Sequence, residues 1–407
     1  MTVRIQLRQE LEQARARTDR FFELMSPEAL YERPIPERHR LVFYLGHVEA
    51  FDWNQICRWT LGMSSFHQTF DQLFEAGIDP PVGQSAQDMP SDWPSVKEVQ
   101  AYNQQIRQTI DKHWEEVPED IIHVALEHRL MHAETNAYLL RQLGSHHKIP
   151  SDGRLQLDEH VIKYEMVDIP DGRTTLGRDP KEGFGWDNEF SRHEVHVPGF
   201  SISRYKVTNQ QYLQFVQEGG GVPKSWIRRG GGWWLRTMFE EVPLVLHWPV
   251  FVTYQQAEAY AQWAGMSLPS EVQFHRAAYG NTGKSDQPFP WGTDSPSPQY
   301  GHFDFGGWDP VSVTDSPLGE SHFGVAQLVG NGWEWTSTPF SPFAGFQPLP
   351  TYPEYSSRFF DDDHFVVKGG GPQTAGRLLR RSFRNWFRQG YPYADTGFRC
   401  VTHSSSS

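Results

Sequence analysis

Cysteine is scarce in this 407-residue chain, with Cys57 and Cys400 the only two. Two thiols cannot build a disulfide framework, and so low a count is expected of a protein kept in the reducing cytoplasm. Long apolar runs are missing too. Nothing reaches the roughly 18 consecutive apolar residues of a membrane-crossing helix, so no membrane association is expected. The first residues, MTVRIQLRQELEQARAR, are charged where a secretory signal would be apolar, and are not expected to act as one. Positive charge is in deficit: 37 Lys and Arg face 50 Asp and Glu, for a net charge of −13. That balance argues against nucleic acid as a partner, because phosphate contacts need clustered cations. The stretch from Arg377 to Arg388 is the local exception.

Glycine is sparse in one part of the chain only. Residues 1–150 hold five of the 35, and residues 151–407 hold the other thirty, together with eleven of the 15 Trp. The length fits two domains. The polar, Gly- and Pro-bearing stretch 144–158 is the natural boundary. Residues 1–150 contain four amphipathic stretches: Ile5 to Met25, stopped by Pro34 and Pro36; His39 to Leu61, ended by Gly62; Ser95 to Glu116; and Glu119 to Leu143. Ser95 followed by Glu98 is a capping box that starts the third. Residues 64–94, with Pro80, Pro81, Pro90 and Pro94, are less regular. Four such helices make a bundle, a framework that builds metal sites from side chains on facing helices. Residues 151–407 offer short β-type runs, such as Glu194 to Val197 and His364 to Val367. Two short helices, Thr208 to Gln217 and Tyr254 to Ala264, complete a loop-rich α+β domain.

The sharpest local signal is Leu126-Glu127-His128-Arg129-Leu130-Met131-His132-Ala133-Glu134. His128 and His132 are i and i+4 on a helix, so both imidazoles project to one side. A zinc peptidase would need Glu directly after the first His, and Arg129 stands there. His47, in the middle of an apolar helix, is the candidate third ligand, since a polar group there needs a partner or a metal. Three neutral imidazoles with open positions suit Fe, Zn or Ni. With 18 His in the chain, an i,i+4 pair also arises among ordinary structural histidines, so spacing alone leaves both readings open. Gly280-Asn281-Thr282-Gly283-Lys284-Ser285 lacks the first glycine of a phosphate loop, because Ala278 stands there, and it is read as a plain loop. Ser382-Phe383-Arg384-Asn385-Trp386-Phe387-Arg388 mixes rings, cations and an amide. It suits either a core strand or a cation-binding face.

Three further segments carry a resemblance. Gly330-Asn331-Gly332-Trp333-Glu334-Trp335-Thr336, Leu268-Pro269-Ser270-Glu271 and Gly397-Phe398-Arg399 resemble the formylglycine-generating-enzyme-like fold, a relative of C-type lectins. Residues 1–150, with His47, His128, His132 and Glu134, look like a DinB-type four-helix bundle. The order of the two domains is similar to that of the ergothioneine-biosynthesis sulfoxide synthases and their ovothiol and selenoneine relatives. The resemblance implies a mononuclear non-haem Fe(II) enzyme that uses O2 to join a sulfur or selenium donor to C2 of the imidazole of hercynine. It implies His47, His128 and His132 as iron ligands, with Glu134 a candidate to orient one of them. Asn385 and Trp386 match the pair that holds the trimethylammonium of hercynine. Formylglycine chemistry is not implied, because it needs cysteines and residues 151–407 contain only Cys400.

Departures from the family pattern bear on the donor. Met131 stands where sulfoxide synthases often carry a Gln that bonds the substrate. Phe387 and Tyr391 stand where users of γ-glutamylcysteine carry an acidic residue and an Arg, and Gly370-Gly371-Pro372-Gln373 replaces a Gly-Gly-Ser-Trp-type stretch. A charged dipeptide would lose its ion partners at such a site. The expected donor is therefore a selenosugar, with cysteine or γ-glutamylcysteine, as in an ergothioneine-type synthase, as the alternative. Met131 and Phe387 join Asn385 and Trp386 as substrate-binding candidates; Tyr352 and Tyr355 lie in the region of the family's catalytic Tyr. A DinB-type zinc or nickel thiol transferase, or a non-catalytic ligand-binding module, is the reading of another class.

Overall fold

The computed structural model describes residues 3–75, 87–150, 161–283 and 285–403. Pro80 and Pro81, most of the expected boundary stretch after residue 150, and Lys284 lie outside these. The chain divides into two compact units, Met1–Arg154 and Leu155–Ser407. Among the described residues no helix is long and apolar enough to cross a membrane.

The first unit is helical: α1 (Val3–Phe22), α2 (Leu41–Asp52), the short α3 (Gln68–Leu73), α4 (Val96–Lys112) and α5 (Glu119–Gln142). α1 packs on α5, and α2 packs on both α4 and α5. Every residue of α2 is buried, so this helix is the centre of the bundle. Its polar members, His47, Glu49 and Asp52, must therefore find partners inside. α4 is amphipathic, with Val99, Tyr102, Ile106 and Ile110 inward. It begins at the expected capping box: Ser95 Oγ accepts from Glu98 N at 3.3 Å, and Glu98 Oε2 from Ser95 N at 2.9 Å.

Two helix ends differ from expectation. α1 stops at Phe22 rather than Met25, because Met25 leaves the helix to form a β-bridge with Lys148, far ahead in sequence. The second stretch is not one α-helix. It continues past Asp52 as a π-helical segment, Trp53–Thr60, before Gly62 turns the chain with φ of +67°.

Among its described residues the second unit holds four small sheets. β1 (Met166–Ile169), β4 (Phe200–Ser203) and β12 (Val401–His403) form an antiparallel sheet with β4 central. β2 (Gly172–Leu176) pairs with β3 (His193–Val197), and β5 (Trp226–Arg229), β6 (Gly232–Arg236) and β7 (Glu241–Pro243) form a meander. The fourth sheet runs β10–β9–β8–β11, from β8 (Trp333–Pro339), β9 (His364–Lys368), β10 (Asn385–Arg388) and β11 (Thr396–Gly397), with β11 parallel to β8. Helices α6 (Asn209–Gln217), α7 (Tyr254–Trp263), α8 (Glu271–Tyr279) and α9 (Glu354–Ser357) complete the unit. Phe200, Ile202, Phe274, Ala277, Val325 and Leu328 form one shared core.

The segments that carried the resemblance are structural keystones here. Glu334 is fully buried between Lys206 Nζ at 2.6 Å and Arg399 Nε at 2.8 Å. Ser270 caps α8, and Glu271 is paired in the interior with Arg384 at 2.9 Å. Asn331, at φ of +58°, ties its side chain to Val311 and Gln327. Of the segment that begins at Gly280, residues 280–283 follow α8 instead of opening a helix. Asn281 there accepts from Gly283 N and donates to Ser285 O, so the loop is spent on itself.

Candidate metal centre

α2 carries His47, and one face of α5 carries His128 and His132. One ring nitrogen from each lies within 4.8 Å of the others, and among the described residues this is the one such cluster of potential ligands. The ring centroids are 4.4 Å apart for His128 and His132, 4.7 Å for His47 and His132, and 5.3 Å for His47 and His128.

Local packing orients these rings. His47 Nδ1 lies 2.8 Å from the Phe74 carbonyl oxygen, which can only accept, so Nδ1 carries the proton and Nε2 keeps its lone pair. Gly46 makes this contact possible. A Cβ there would stand 2.6 Å from the Phe74 ring, so only glycine lets the ring in beside α2. Phe43 stacks on His47 at 4.9 Å and Phe51 on His128 at 3.4 Å, each four residues from His47 on α2. Two of the imidazole planes are thus held by phenyl rings.

Burial keeps two of the three rings uncharged. It pushes His128 and His132 well below their ordinary values; His132, His47 and Arg129 lower His128 further, and His47, Arg38 and Arg129 lower His132. Neutral imidazole is the metal-binding form. His132 Nδ1 is buried with no hydrogen-bond partner. A buried imidazole in that condition is costly for a purely structural residue and is consistent with a ring whose function lies in its nitrogens. On this observation and the donor set, the residues fit a resident metal.

Arg129, which stands where a zinc peptidase would need Glu, serves the other side of α5. It is fully buried and donates to Glu49 at 2.9 Å and Asp52 at 2.5 Å. Glu49 also accepts from Arg107 at 2.6 Å. Burial alone would raise the Glu49 pKa, but Arg129 and Arg107 hold it well below the usual carboxylate range. For Asp52, burial outweighs Arg129 and raises it. Glu134 accepts from the Tyr138 hydroxyl. Met131 is half-buried on α5, between the two histidines in sequence.

The remaining candidates lie in the second unit. Asn385 Oδ1 accepts from Trp386 N at 2.9 Å, which leaves its Nδ2 group to donate elsewhere. Phe340 stacks flat on Trp386 at 4.0 Å and 9°, covering one face of the indole. Tyr355 and Phe359 approach the same ring at 5.5 and 5.4 Å, inclined at 77° and 47°. A cation can therefore meet only the indole face opposite Phe340. Phe387 is the next residue of β10 and points to the other side. It stacks on Tyr391 at 5.5 Å and 2°, near Trp335, so its surroundings are distinct from those of Trp386.

Sequence reasoning singled out Tyr352 and Tyr355 but missed what holds them. Tyr355 stacks on Trp186 at 4.1 Å, and Ser356 bonds to Asp187 and Asn188. Glu189 Oε1 accepts from Trp186 N at 2.9 Å, and with Trp at the cap position, whose indole can only donate, no capping motif marks this segment in the sequence. Cys57 and Cys400 are buried, which pushes both thiols up to about 12 and leaves them unreactive as nucleophiles.

The family model of the sulfatase-modifying factor enzyme 1-like domain matches residues 155–404. Ergothioneine biosynthesis protein 1 of Neurospora crassa is 28% identical over 488 residues, covering 93% of this chain and 55% of that protein. Hercynine oxygenase of Mycolicibacterium smegmatis is 37% identical over 246 residues, covering 54% of this chain and 56% of that protein. Formylglycine-generating enzyme of Mycobacterium tuberculosis is 27% identical over 298 residues, covering 58% of this chain and 97% of that protein. The chain thus spans about half the length of the first two.

Proposed function

Since this chain belongs to the sulfatase-modifying factor enzyme 1-like family through residues 155–404, with a histidine cluster in a separate helical unit, we propose that it is an O2-dependent non-haem Fe(II) enzyme acting on hercynine. The reaction joins a sulfur or selenium donor to C2 of the imidazole. The observation that carries this reading is the convergence of three imidazoles, His47, His128 and His132, with burial holding His128 and His132 well below their ordinary values. Similarity to hercynine oxygenase and ergothioneine biosynthesis protein 1 supports hercynine as the substrate.

The proposed reaction balances without a further reductant. Loss of one C–H and one S–H or Se–H hydrogen, and oxidation of the chalcogen, together reduce one O2 to the chalcogen oxide and water. When bound by the three imidazoles, Fe(II) would supply O2 activation and favour the donor as its anion.

The protein residues orient the reactants. Phe74, Phe43 and Phe51 hold the imidazole ligands in place. Trp386 offers one indole face to the trimethylammonium, an attraction worth about 2 kcal/mol when desolvated. Asn385 Nδ2 is a donor for the hercynine carboxylate. The rings of Phe387 and Tyr391, where users of a charged dipeptide would place ion partners, favour an uncharged donor, so a selenosugar is the donor we propose. The low cysteine count, with both thiols buried, suits a cytoplasmic location.

The test is a donor panel. Fe(II)-loaded protein receives hercynine, O2 and either cysteine, γ-glutamylcysteine or a selenosugar, and mass spectrometry identifies adducts. The expected result is a C2 adduct with the selenosugar. No adduct with any donor would reject the function, and an adduct with γ-glutamylcysteine alone would reject the donor assignment.

A further inference from the structure

The chain between β2 and β3 and the run before β10 bring four arginines to one cavity of about 360 Å³ in the second unit. Arg178 follows β2, Arg192 stands just before β3, and Arg380 and Arg381 precede β10. The volume accommodates a small organic molecule. Two carboxylates, Glu182 and Asp286, share the lining, and Glu189 stands behind Arg380. Four guanidinium charges thus meet three carboxylates. The local balance is positive in a chain whose net charge is −13.

Two of the arginines are fixed walls. Arg380 Nε donates to Glu189 Oε2 at 2.8 Å, and a second guanidinium nitrogen donates to Oε1. Glu189 is fully buried and also accepts from Ser382 Oγ at 2.6 Å. Arg178 donates to the Phe184 and Glu182 carbonyls at 2.5 and 2.6 Å, which sets the direction of its fork.

The other two keep capacity to donate. Arg381 lines the cavity with its side chain 16% exposed, and its ion-pair partner among the described residues is Asp286, at 3.5 Å. That is the outer limit of a hydrogen bond. The same Asp286 Oδ2 already accepts from Thr175 N at 2.6 Å and Thr174 Oγ1 at 2.9 Å, so β2 holds it in place. A planar fork of five N–H groups with one long bond has donors left for another acceptor. Arg192 meets Glu182 at 3.2 Å, with both side chains exposed to solvent. So exposed a pair is weak, and Arg192 can exchange Glu182 for a better acceptor. Phe289, also in the lining, lies flat against Trp291 at 5.2 Å and 2°, an apolar plate beside these cations.

We propose that this cavity binds the phosphate of a small phosphorylated molecule. Arg381 and Arg192 donate to its oxygens, Arg178 and Arg380 supply fixed positive charge, and Phe289 carries the apolar part of the ligand. Guanidinium forks match phosphate in geometry and charge. A phosphate monoester brings two negative charges and three terminal oxygens, where a carboxylate brings one charge and two oxygens. The sign of the charge also separates this site from the indole face of Trp386, which suits a cation.

The probe is phenyl phosphate, titrated into the full-length protein by calorimetry and by phosphorus NMR. Inorganic phosphate, which lacks the apolar body, and benzoate, which lacks the second charge, are run beside it. The expected result is saturable 1:1 binding of phenyl phosphate, about threefold to tenfold weaker binding of inorganic phosphate, and at least tenfold weaker binding of benzoate. Arg381→Gln should weaken phenyl phosphate at least tenfold. Arg381→Lys, which keeps the charge and loses the fork, should weaken it at least threefold. Arg192→Glu reverses a charge at an exposed position and should weaken it at least fivefold. Arg173→Gln, at an exposed position outside the lining, should leave it unchanged. Should the Arg381 variants fail to fold, Arg192→Glu and the analogue series still decide. Absence of saturable binding, benzoate binding within twofold of phenyl phosphate, binding untouched by Arg192→Glu, or a loss in Arg173→Gln as large as in Arg192→Glu would each overturn the proposal.

Discussion

Gly46→Ala is the smallest change that separates the stability of the helical unit from its capacity to hold a metal. The added Cβ would stand 2.6 Å from the Phe74 ring, where ordinary contact begins near 3.4 Å, so the ring must retreat by roughly 1 Å. Phe74 is fully enclosed, and overpacking of this kind costs about 1–3 kcal/mol. Alanine in place of glycine within a helix returns about 1 kcal/mol. The net loss of stability is therefore about 0–2 kcal/mol. The effect on the centre is larger in proportion. Phe74 supplies the carbonyl that accepts from His47 Nδ1 at 2.8 Å, and losing such an outer partner costs about 10–100-fold in metal affinity. That is about 1.4–2.7 kcal/mol. Urea unfolding of the metal-free protein measures the first quantity, and anaerobic competition for Fe(II) against a chelator measures the second. Metal affinity within twofold of the original, with the Phe74 ring displaced, would refute the argument that this carbonyl sets up His47.

Other consequences follow from the second unit. Glu334→Gln leaves Lys206 and Arg399 buried without their carboxylate, and should cost about 3–5 kcal/mol by calorimetry; a loss under 1 kcal/mol would reject the keystone role. Trp386→Ala should weaken hercynine binding about 30-fold, the equivalent of about 2 kcal/mol, and weaken histidine far less. Equal losses for both would remove the cation–π role. His275 is buried, and burial, with Lys368 and Arg381 nearby, holds it well below its ordinary value. The unfolded chain therefore takes up this proton first, and stability is lost as pH falls from about 6.5 toward the lower folded value. His275→Gln should flatten that slope by up to about 1.4 kcal/mol per pH unit; equal slopes for the two proteins would refute it.

The helical unit was the more legible half, and the reason is physical. A capping box acts over four residues, so Ser95 and Glu98 announced α4 in the sequence itself. His128 and His132 sit one turn apart on α5, which needs no tertiary information. The early end of α1 was hidden because Met25 pairs with Lys148, a contact no local pattern encodes. The π segment after α2 was hidden because its bonds run one residue further than those of an α-helix, while the side-chain pattern still looks helical. In the second unit α8 escaped notice. Its inward face includes Glu271, His275 and Arg276, whose partners come from elsewhere in the chain, so no apolar period marks it. The sheets join strands distant in sequence, as β4 does with β12. The surroundings of Trp386 were equally out of reach, since Phe340, Tyr355 and Phe359 gather there only through the fold.

The buried pairing of Glu334 with Lys206 and Arg399 has a bearing on kinship. Residues by which the second unit is recognised are occupied with interior charges, and Cys400, its one thiol, is buried and inert. A mutation in them acts on folding stability, whatever reaction the chain performs. Those motifs therefore trace descent and leave chemistry free to diverge. Two proteins that share Gly-Asn-Gly-Trp-Glu-Trp and Gly-Phe-Arg can act on unrelated substrates.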